Sequence, residues 1–413
     1  MRERILLCKP KMSGRELDFI KPALAEDWAV PMGPDVNAFE NELGATVGAE
    51  NVVALESGTA AIHLALILCG VQPGDEVIVQ SMTFCASTNP VAYLGATPVF
   101  IDSEGDSWNM DPAVLEKAII DRIARTGRKP KAIIPVALYG MPYQIDRIME
   151  IAGRYGIPVI EDAAEGFCSR YNGKVLGTFG RFGVLSFNGN KMITTSGGGA
   201  LICPDRTTAD KAKWYATQAR EGYPYYQHEV VGYNYRLSNI SACIGRAQLT
   251  VLEEHLAHHR YVQELYWELL KDVEGIGMHC NPWPESDSNF WLCTATLDPD
   301  LRIKGQENAY RQVITGAVGG AAGVIHAAST ATTDCQPNDN VEALRVYLDK
   351  ANIEARPLWK PMHRQPVYRN APAYINGVSE ALFKVGICLP AGPYVTDDDV
   401  RYIVDTIKAS IER

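Results

Sequence analysis

The hydrophobic positions between residues 50 and 205 repeat one pattern: a short apolar run, a turn of small or polar residues, and then a helical spacing. Four of these runs lie at residues 52–55, 76–79, 132–136 and 158–160. Because the runs are apolar at successive positions, both faces of each strand are expected to be buried. The pattern predicts a mostly parallel sheet covered by helices, whose ligands bind at the carboxyl ends of the strands.

The second half of the chain has a different pattern. After Gly232 one long helical spacing runs through Leu237, Leu249 and Leu256, and it predicts a bridge to a smaller C-terminal domain. We therefore expect a large domain over residues 1–250 and a small domain over residues 251–413, which suits a chain of 413 residues. Residues 302–340 are rich in glycine and alanine and are interpreted as an insertion.

Composition narrows the class of partner. A formal net charge of -10 argues against a nucleic-acid surface, which needs clustered lysine and arginine. The ten cysteines form no CxxC pair, so we expect reduced thiols and no metal site. No apolar stretch has the length of a signal peptide or a membrane span. The sequence therefore predicts a cytoplasmic protein with a small-molecule ligand.

The first motif that carries chemistry follows the run at residues 52–55. Ser57, Gly58 and Thr59 form a turn that leads into an alanine-rich helix, which starts near Ala60. Free N–H groups and hydroxyls at the positive end of a helix favour an anion such as phosphate. Taken alone, the motif is better explained as an ordinary N-cap.

The second motif places two adjacent carboxylates, Glu161 and Asp162, at the carboxyl end of a buried strand, with Glu165 shortly after them. A carboxylate is costly to bury unless a positive group meets it. A protonated pyridine nitrogen is one such group, and Asp162 is the candidate partner for it. For an isolated Glu-Asp pair such as Glu161 and Asp162, the alternatives to this role are a metal ligand or a helix cap.

The third motif exposes one lysine, Lys191, after an apolar strand and an Asn-Gly-Asn turn, just before the glycines at 197–199. There is no acidic residue within ten positions on either side. Such a lysine is suited to condensation with a carbonyl once its pKa is lowered. The alternative, a solvated surface charge, is the weaker interpretation because of the flanking strand and glycines.

Together the three motifs resemble the DegT/DnrJ/EryC1/StrS family of sugar aminotransferases. Asp162 and Lys191 stand 29 residues apart, as in the family, and the likeness runs from Met12 to the segment 356–363. The resemblance implies an α/β protein with the fold of type I pyridoxal-phosphate enzymes. Its large domain would contain a mostly parallel seven-stranded sheet between helices, and its smaller C-terminal domain would be α+β.

The resemblance also implies residue roles. Lys191 would bind pyridoxal 5'-phosphate covalently and move the proton, and Asp162 would pair with the pyridine nitrogen. The remaining residues that it places at the cofactor are Ser57, Gly58, Thr59, Ala60 and Ser186 at the phosphate, Phe84 on the ring, Glu165 beside cofactor and substrate, and Asn234 from the second subunit of a homodimer. From the sequence alone, Phe84 is equally well a core aromatic, and the segment of Asn234 is a helix start capped by Ser238.

For the substrate, the resemblance points to Arg356, Trp359, Lys360 and His363, which could line a uracil and a diphosphate. A proline-bounded surface loop is the alternative. The amino-acid sequence around Lys191 resembles that of bacillosamine-type transaminases. These enzymes act on UDP-4-keto-6-deoxy-GlcNAc in polysaccharide or glycan biosynthesis. The resemblance to the family is the only basis for expecting L-glutamate as the amino donor.

Four other functions remain open at this point. A transaminase that aminates position 3 of the sugar belongs to the same family. A sugar dehydratase of the family would carry histidine in place of Lys191. A non-enzymatic regulator with this fold would normally carry an added binding module, which the sequence does not show. A general amino-acid aminotransferase is disfavoured by the segment at residues 356–363.

Overall fold

The computed structural model describes residues 2–311 and 335–412. Its α-helices are α1 (Glu16–Ala25), α2 (Pro34–Val47), α3 (Gly58–Leu68), α4 (Asn89–Tyr93), α5 (Pro112–Thr126), α6 (Ile145–Tyr155), α7 (Arg206–Ala216), α8 (Asn239–Leu249), α9 (Leu252–Leu270), α10 (Asp339–Lys350), α11 (Val378–Val385) and α12 (Asp397–Ser410). Its strands are β1 (Val52–Leu55), β2 (Glu76–Gln80), β3 (Thr97–Ile101), β4 (Ile133–Ile134), β5 (Ile160–Asp162), β6 (Arg170–Tyr171), β7 (Lys174–Val175), β8 (Phe182–Ser186), β9 (Gly199–Ile202), β10 (Ile276–Met278), β11 (Ser286–Asp287), β12 (Cys293–Leu297), β13 (Arg356–Pro357), β14 (Ala373–Tyr374) and β15 (Gly386–Leu389).

The main sheet has the order β1-β9-β8-β5-β4-β2-β3, with the short β14 added beside β3. Two parallel bridges, Ile133–Val159 and Val136–Asp162, join its two four-stranded halves. Among these strands β9 runs antiparallel to both neighbours, and the other pairings are parallel. The predicted mostly parallel seven-stranded sheet is confirmed, with β14 as an extra edge strand.

Apolar residues on both faces explain why this sheet is covered on both sides. Along β1, Val52 and Ala54 belong to one core cluster, whereas Val53 and Leu55 belong to another. Successive side chains of a strand point to opposite faces, so the two clusters lie on opposite faces of the sheet. The carboxyl ends of the parallel strands are thus left as the accessible edge.

A second sheet, of order β10-β12-β15-β13, is antiparallel and packs against α9 and α10, on which α12 packs in turn. The two sheets exchange segments. Ile5 near the N-terminus pairs with Ile353 beside the second sheet, and β14 from the C-terminal part joins the main sheet. The division of the chain into two domains near residue 250 remains our proposal. The Ile5 segment and β14 are two short segments that cross this division.

The predicted single long helix is two helices. Thr250 and Val251 separate α8 from α9, and their N–H groups donate to carbonyls three residues back, those of Ala247 and Gln248. This tighter turn interrupts the α-helical ladder, although the apolar spacing continues across it. A periodic pattern alone does not show such an interruption.

Only the ends of the predicted insertion at residues 302–340 are described. The 3-10 helix Gln306–Arg311 packs against α10, and residues 312–334 lie outside the described part of the chain. Within residues 2–311 and 335–412, none of the helices combines the length and the apolar character that crossing a bilayer requires.

Candidate active site

A cavity of about 340 Å³ opens at the carboxyl ends of β1, β5 and β8. It gathers residues from all three predicted motifs, the first of which lies about a hundred positions before the other two in the chain. The predicted site residues in its lining are Ser57, Gly58, Thr59, Phe84, Asp162, Glu165, Ser186, Lys191 and Trp359. Its position is the one that the strand pattern predicts for the ligand of a parallel sheet.

The start of α3 forms an anion cradle in this cavity. Ser57 is the N-cap, and the first-turn N–H groups of Gly58 and Thr59 have no partner within the helix. A side chain at Gly58 would put its Cβ 3.2 Å from the Cβ of Ser186, so glycine lets β8 approach the helix start. The cradle fits a phosphate group, with the hydroxyls of Thr59 and Ser186 beside the helix end.

One predicted phosphate contact is not at the cavity. The N–H of Ala60 donates to Ser57 Oγ at 3.0 Å, and Ala60 is buried outside the cavity lining. Because that N–H already has a partner in the cap, the prediction that Ala60 binds phosphate is not supported by its placement.

Asp162 lies at the end of β5 with its side chain buried. Ser87 Oγ donates to Oδ2 at 2.6 Å, and the N–H of Ala164 donates to Oδ1 at 3.1 Å. Burial raises the pKa of the Asp162 carboxyl, while these two hydrogen bonds and the charge of Lys191 act in the opposite direction. A protonated ring nitrogen would relieve the burial cost of this carboxylate, so the site fits the cofactor that the sequence predicts.

Lys191 has an acidic neighbour that its local sequence does not show. Its Nζ lies 3.7 Å from Glu165 Oε1, and Glu165 Oε2 accepts the N–H of Tyr139 at 2.7 Å. Burial raises the pKa of the Glu165 carboxyl, and the charge of Lys191 opposes this shift. The fold therefore places a carboxylate from the second motif against the amine of the third.

Sequence reasoning missed two residues that contact the predicted ones. Trp291 lies with its ring centroid 3.9 Å from Lys191 Nζ, and its Nε1–H donates to the carbonyl of Asn190 at 2.6 Å. Ser87 bonds Asp162, as described above. Trp291 is a hundred positions from Lys191 and belongs to no local motif, so only the tertiary structure could reveal it. Ser87 is three positions after Phe84, which could have directed attention to it.

A second cavity, of about 610 Å³, adjoins the first and shares Phe84, Trp291 and Trp359 with it. Arg356 lies in its lining, where Nε and Nη2 donate to Glu354 Oε1 at 3.1 and 2.7 Å. The rings of Phe84 and Trp359 are 5.6 Å apart between the two cavities. Of the four predicted substrate residues in the segment 356–363, Arg356 and Trp359 are therefore brought to the site.

Tyr139 links the two sides of the site. Its N–H binds Glu165, as described above, and its hydroxyl accepts the backbone N–H of Trp359 at 2.7 Å. The residue has a positive φ of 54°, a left-handed conformation that directs its backbone toward Glu165. The backbone and the side chain of one residue thus connect the C-terminal segment to the cofactor cavity.

The other two predicted substrate residues, Lys360 and His363, are absent from the lining of both described cavities. The side chain of His363 is largely enclosed, with Nδ1 2.6 Å from Ser81 Oγ and Nε2 3.1 Å from Glu380 Oε1. Both ring nitrogens therefore have partners within the protein. The position of His363 indicates that it holds the segment in place.

Asn234 is exposed and pairs with Thr217, outside the cavity of its own chain. The following residue, Tyr235, accepts the N–H of Glu56 at 2.9 Å and so borders the cradle strand β1. Within the described part of one chain, the structure does not bring Asn234 to the cofactor cavity.

The family model for the DegT/DnrJ/EryC1/StrS aminotransferase family matches residues 10–314 and 306–408. EpsN of Bacillus subtilis, whose name describes a pyridoxal phosphate-dependent aminotransferase, is 44% identical over 98% of this chain and 96% of its own. GDP-perosamine synthase of Caulobacter vibrioides is 33% identical over 97% and 96%. A solved DegT DnrJ EryC1 StrS aminotransferase from Brucella abortus superposes with a TM-score of 0.81 at 29% identity, covering 96% of this chain and 95% of that one.

The chain therefore belongs to the DegT/DnrJ/EryC1/StrS aminotransferase family. It is a pyridoxal-phosphate-dependent sugar aminotransferase with the type I fold, as the resemblance of its motifs predicted. The cofactor, when bound, supplies a reactive carbonyl and an electron sink. The residues described above would supply its binding, its orientation and the movement of protons.

Proposed function

We propose that this protein transfers the amino group of L-glutamate to the keto group of UDP-4-keto-6-deoxy-GlcNAc, in the biosynthesis of a surface polysaccharide or glycan. The observation that carries the proposal is the second cavity, which adjoins the cavity that Lys191 lines and is itself lined by Arg356 and Trp359. A site for the cofactor alone would not need this additional volume. It suits an extended acceptor with an anionic part.

The residues at the cofactor have distinct tasks in this proposal. The amine of Lys191 takes the proton from the donor carbon and later returns a proton on the sugar side. Asp162 keeps the ring nitrogen protonated, and the start of α3 holds the phosphate. Glu165 lies beside the amine and fixes it relative to both substrates.

The diphosphate of the acceptor is assigned to Arg356. Glu354 holds this guanidinium through Nε and Nη2, which leaves Nη1 for a ligand. A charge-assisted hydrogen bond from arginine to phosphate is stronger than one between neutral groups. Trp359, between the cavities, offers an aromatic face to the sugar or the base.

A GDP-linked 4-keto-6-deoxy sugar is the second candidate for the acceptor. The observation that favours it is the name GDP-perosamine synthase, carried by relatives that are 31% and 33% identical over nearly the whole chain. The amino-acid sequence around Lys191 favours the UDP-linked sugar. Both candidates use the same cavity and the same Arg356.

We also propose a homodimer in which Asn234 of each subunit reaches the cofactor phosphate of the other. Its exposure outside its own cavity supports this arrangement, as does its position next to the strand that carries the phosphate cradle.

The decisive experiment supplies each keto sugar freshly made by a dehydratase, together with L-glutamate. Release of 2-oxoglutarate is measured together with the mass of the sugar product. We expect amination of the UDP-linked acceptor at carbon 4. Turnover with a GDP- or TDP-linked sugar but not with the UDP-linked one would refute the UDP assignment. Amination at carbon 3 would refute the assigned position.

A further inference from the structure

The amine of Lys191 lies between two groups that both favour its charged form. The indole ring of Trp291 is 3.9 Å away, centroid to Nζ, and Glu165 Oε1 is 3.7 Å away. A cation over an aromatic face is attracted by the ring quadrupole, and more strongly when water is excluded. A neutral amine gains much less from either neighbour.

Trp291 is held firmly in this position. Only 2% of its surface is exposed, and its Nε1–H donates to the carbonyl of Asn190, the residue before the lysine. The Cys8 thiol donates to the same carbonyl at 3.0 Å. The ring is thus anchored to the backbone of the turn that carries Lys191, within reach of the amine.

During the reaction the lysine is bonded to the cofactor at some stages and free at others. When it is free it carries the proton that moves between carbon atoms. A free ammonium in a largely buried cavity needs a defined place near the reacting carbon. The arrangement of Trp291 and Glu165 provides one from the residues of a single chain.

We propose that Trp291 is a positioning residue that holds the released, protonated amine of Lys191 against its ring face, with Glu165 as the ion-pair partner. The inference depends on the role of Lys191 and not on the identity of the sugar. It would therefore survive a failure of the UDP assignment.

The titratable groups that face the amine are Asp162, Glu165 and Cys8. Burial raises the pKa of the Cys8 thiol to about 12, so this group is neutral at ordinary pH. The two carboxyls are present in every variant of Trp291 discussed below. A difference between those variants can therefore be assigned to the ring.

The test uses the protein loaded with pyridoxamine phosphate, in which Lys191 is free. Its reactivity toward trace acetic anhydride is followed from pH 6 to 11 by mass spectrometry, which gives the titration midpoint of that lysine. We expect Trp291→Leu to lower the midpoint, because the protonated form loses the ring. Trp291→Phe keeps an aromatic face but loses the bond to Asn190, and we expect a smaller shift.

Trp267→Leu is the matched control. That ring is 42% exposed and also lies near a lysine, Lys271 at 5.1 Å, but it is remote from the site motifs. We expect the Lys191 midpoint to stay unchanged in this control. Equal midpoints in the wild type and Trp291→Leu would overturn the proposal. If the leucine variant does not fold, Trp291→Met carries the same test, since methionine is apolar, long and without a ring.

The pH dependence of the half-reaction with glutamate gives a second measurement. The limb that reports the lysine should move toward lower pH in Trp291→Leu and stay in place in Trp267→Leu. A loss of rate with no movement of this limb would mean that Trp291 contributes only to packing.

Discussion

The cofactor cavity and the second cavity are built in different ways. Asp162 and Glu165 stand at one strand end, and each accepts a hydrogen bond from the backbone of its surroundings. The second cavity takes its lining from the N-terminal segment at residues 7–12, from residues near 190, and from Arg356 and Trp359. Its one described arginine is held by a neighbouring side chain, Glu354.

The difference indicates which part of the site can change. A group fixed by strand ends and backbone N–H groups cannot be moved without changing the sheet. A cavity assembled from distant segments can change its lining by substitutions in any of them. We therefore propose that the chemistry of the reaction belongs to the first cavity and the choice of acceptor to the second.

The largest effect is expected at Lys191 in the first cavity. Lys191→Arg keeps the positive charge but cannot condense with the cofactor carbonyl, so we expect turnover to fall by about a thousandfold or more. Borohydride reduction of the wild type should abolish the visible absorption band and leave the cofactor on Lys191, as peptide mapping would show. A reduced adduct on a different lysine would refute the assignment.

Asp162→Asn should still bind the cofactor and lose turnover by about a hundredfold. The amide cannot keep the ring nitrogen protonated, so the electron sink is weakened. Cofactor content and turnover are measured on the same sample. Ser87→Ala removes only one hydrogen bond to this carboxylate and should have a smaller effect. Turnover near that of the wild type would exclude Asp162 from the mechanism.

Substitution in the second cavity should affect binding more than chemistry. Arg356→Gln should weaken binding of UDP, measured calorimetrically, by about tenfold or more, because a charge-assisted contact to phosphate is lost. The rate of the half-reaction with glutamate should change less. Arg369→Gln is the matched control, an exposed arginine farther along the same segment. Equal losses in both variants would show a general charge effect.

The dimer proposal predicts that two inactive variants complement each other. Equal amounts of Lys191→Ala and Asn234→Ala subunits, after exchange, should regain about a quarter of the wild-type activity. Half of the dimers are then mixed, and each mixed dimer has one intact site. Subunit exchange is verified with differently tagged chains. No recovery after verified exchange would mean that each site is built within one chain.

The smallest effect concerns stability without the cofactor. Burial raises the pKa of the Asp162 carboxyl, so its contribution to stability is present at low pH and is lost as pH rises through the folded-state value. Cofactor-free Asp162→Asn, which has no such ionisation, should melt a few degrees higher than the wild type at pH 8. The difference should vanish below about pH 4. A gap in melting temperature that is independent of pH would show that ionisation of Asp162 is not its cause.

The sequence was sufficient for the features that depend on local pattern. The buried runs predicted the strands and the sheet, and the resemblance of the motifs predicted the family and cofactor, because each motif is a strand end and its following turn. It was insufficient where distant segments meet. The ion pair of Glu165 with Lys191 and the ring of Trp291 need the tertiary structure. His363 has the chemistry of a ligand-binding residue, but its enclosure between Ser81 and Glu380 could not be read from its neighbours.

The hydrogen bond between Tyr139 and Trp359 has a consequence for redesigning the enzyme. The donor is the main-chain N–H of Trp359, so any residue except proline at that position can still make the bond. Position 359 can therefore be randomised in a directed-evolution library while the segment stays anchored. Position 139 offers no such freedom, since its backbone and its hydroxyl are both engaged. A search for new acceptor sugars should vary the tryptophan and leave the tyrosine unchanged.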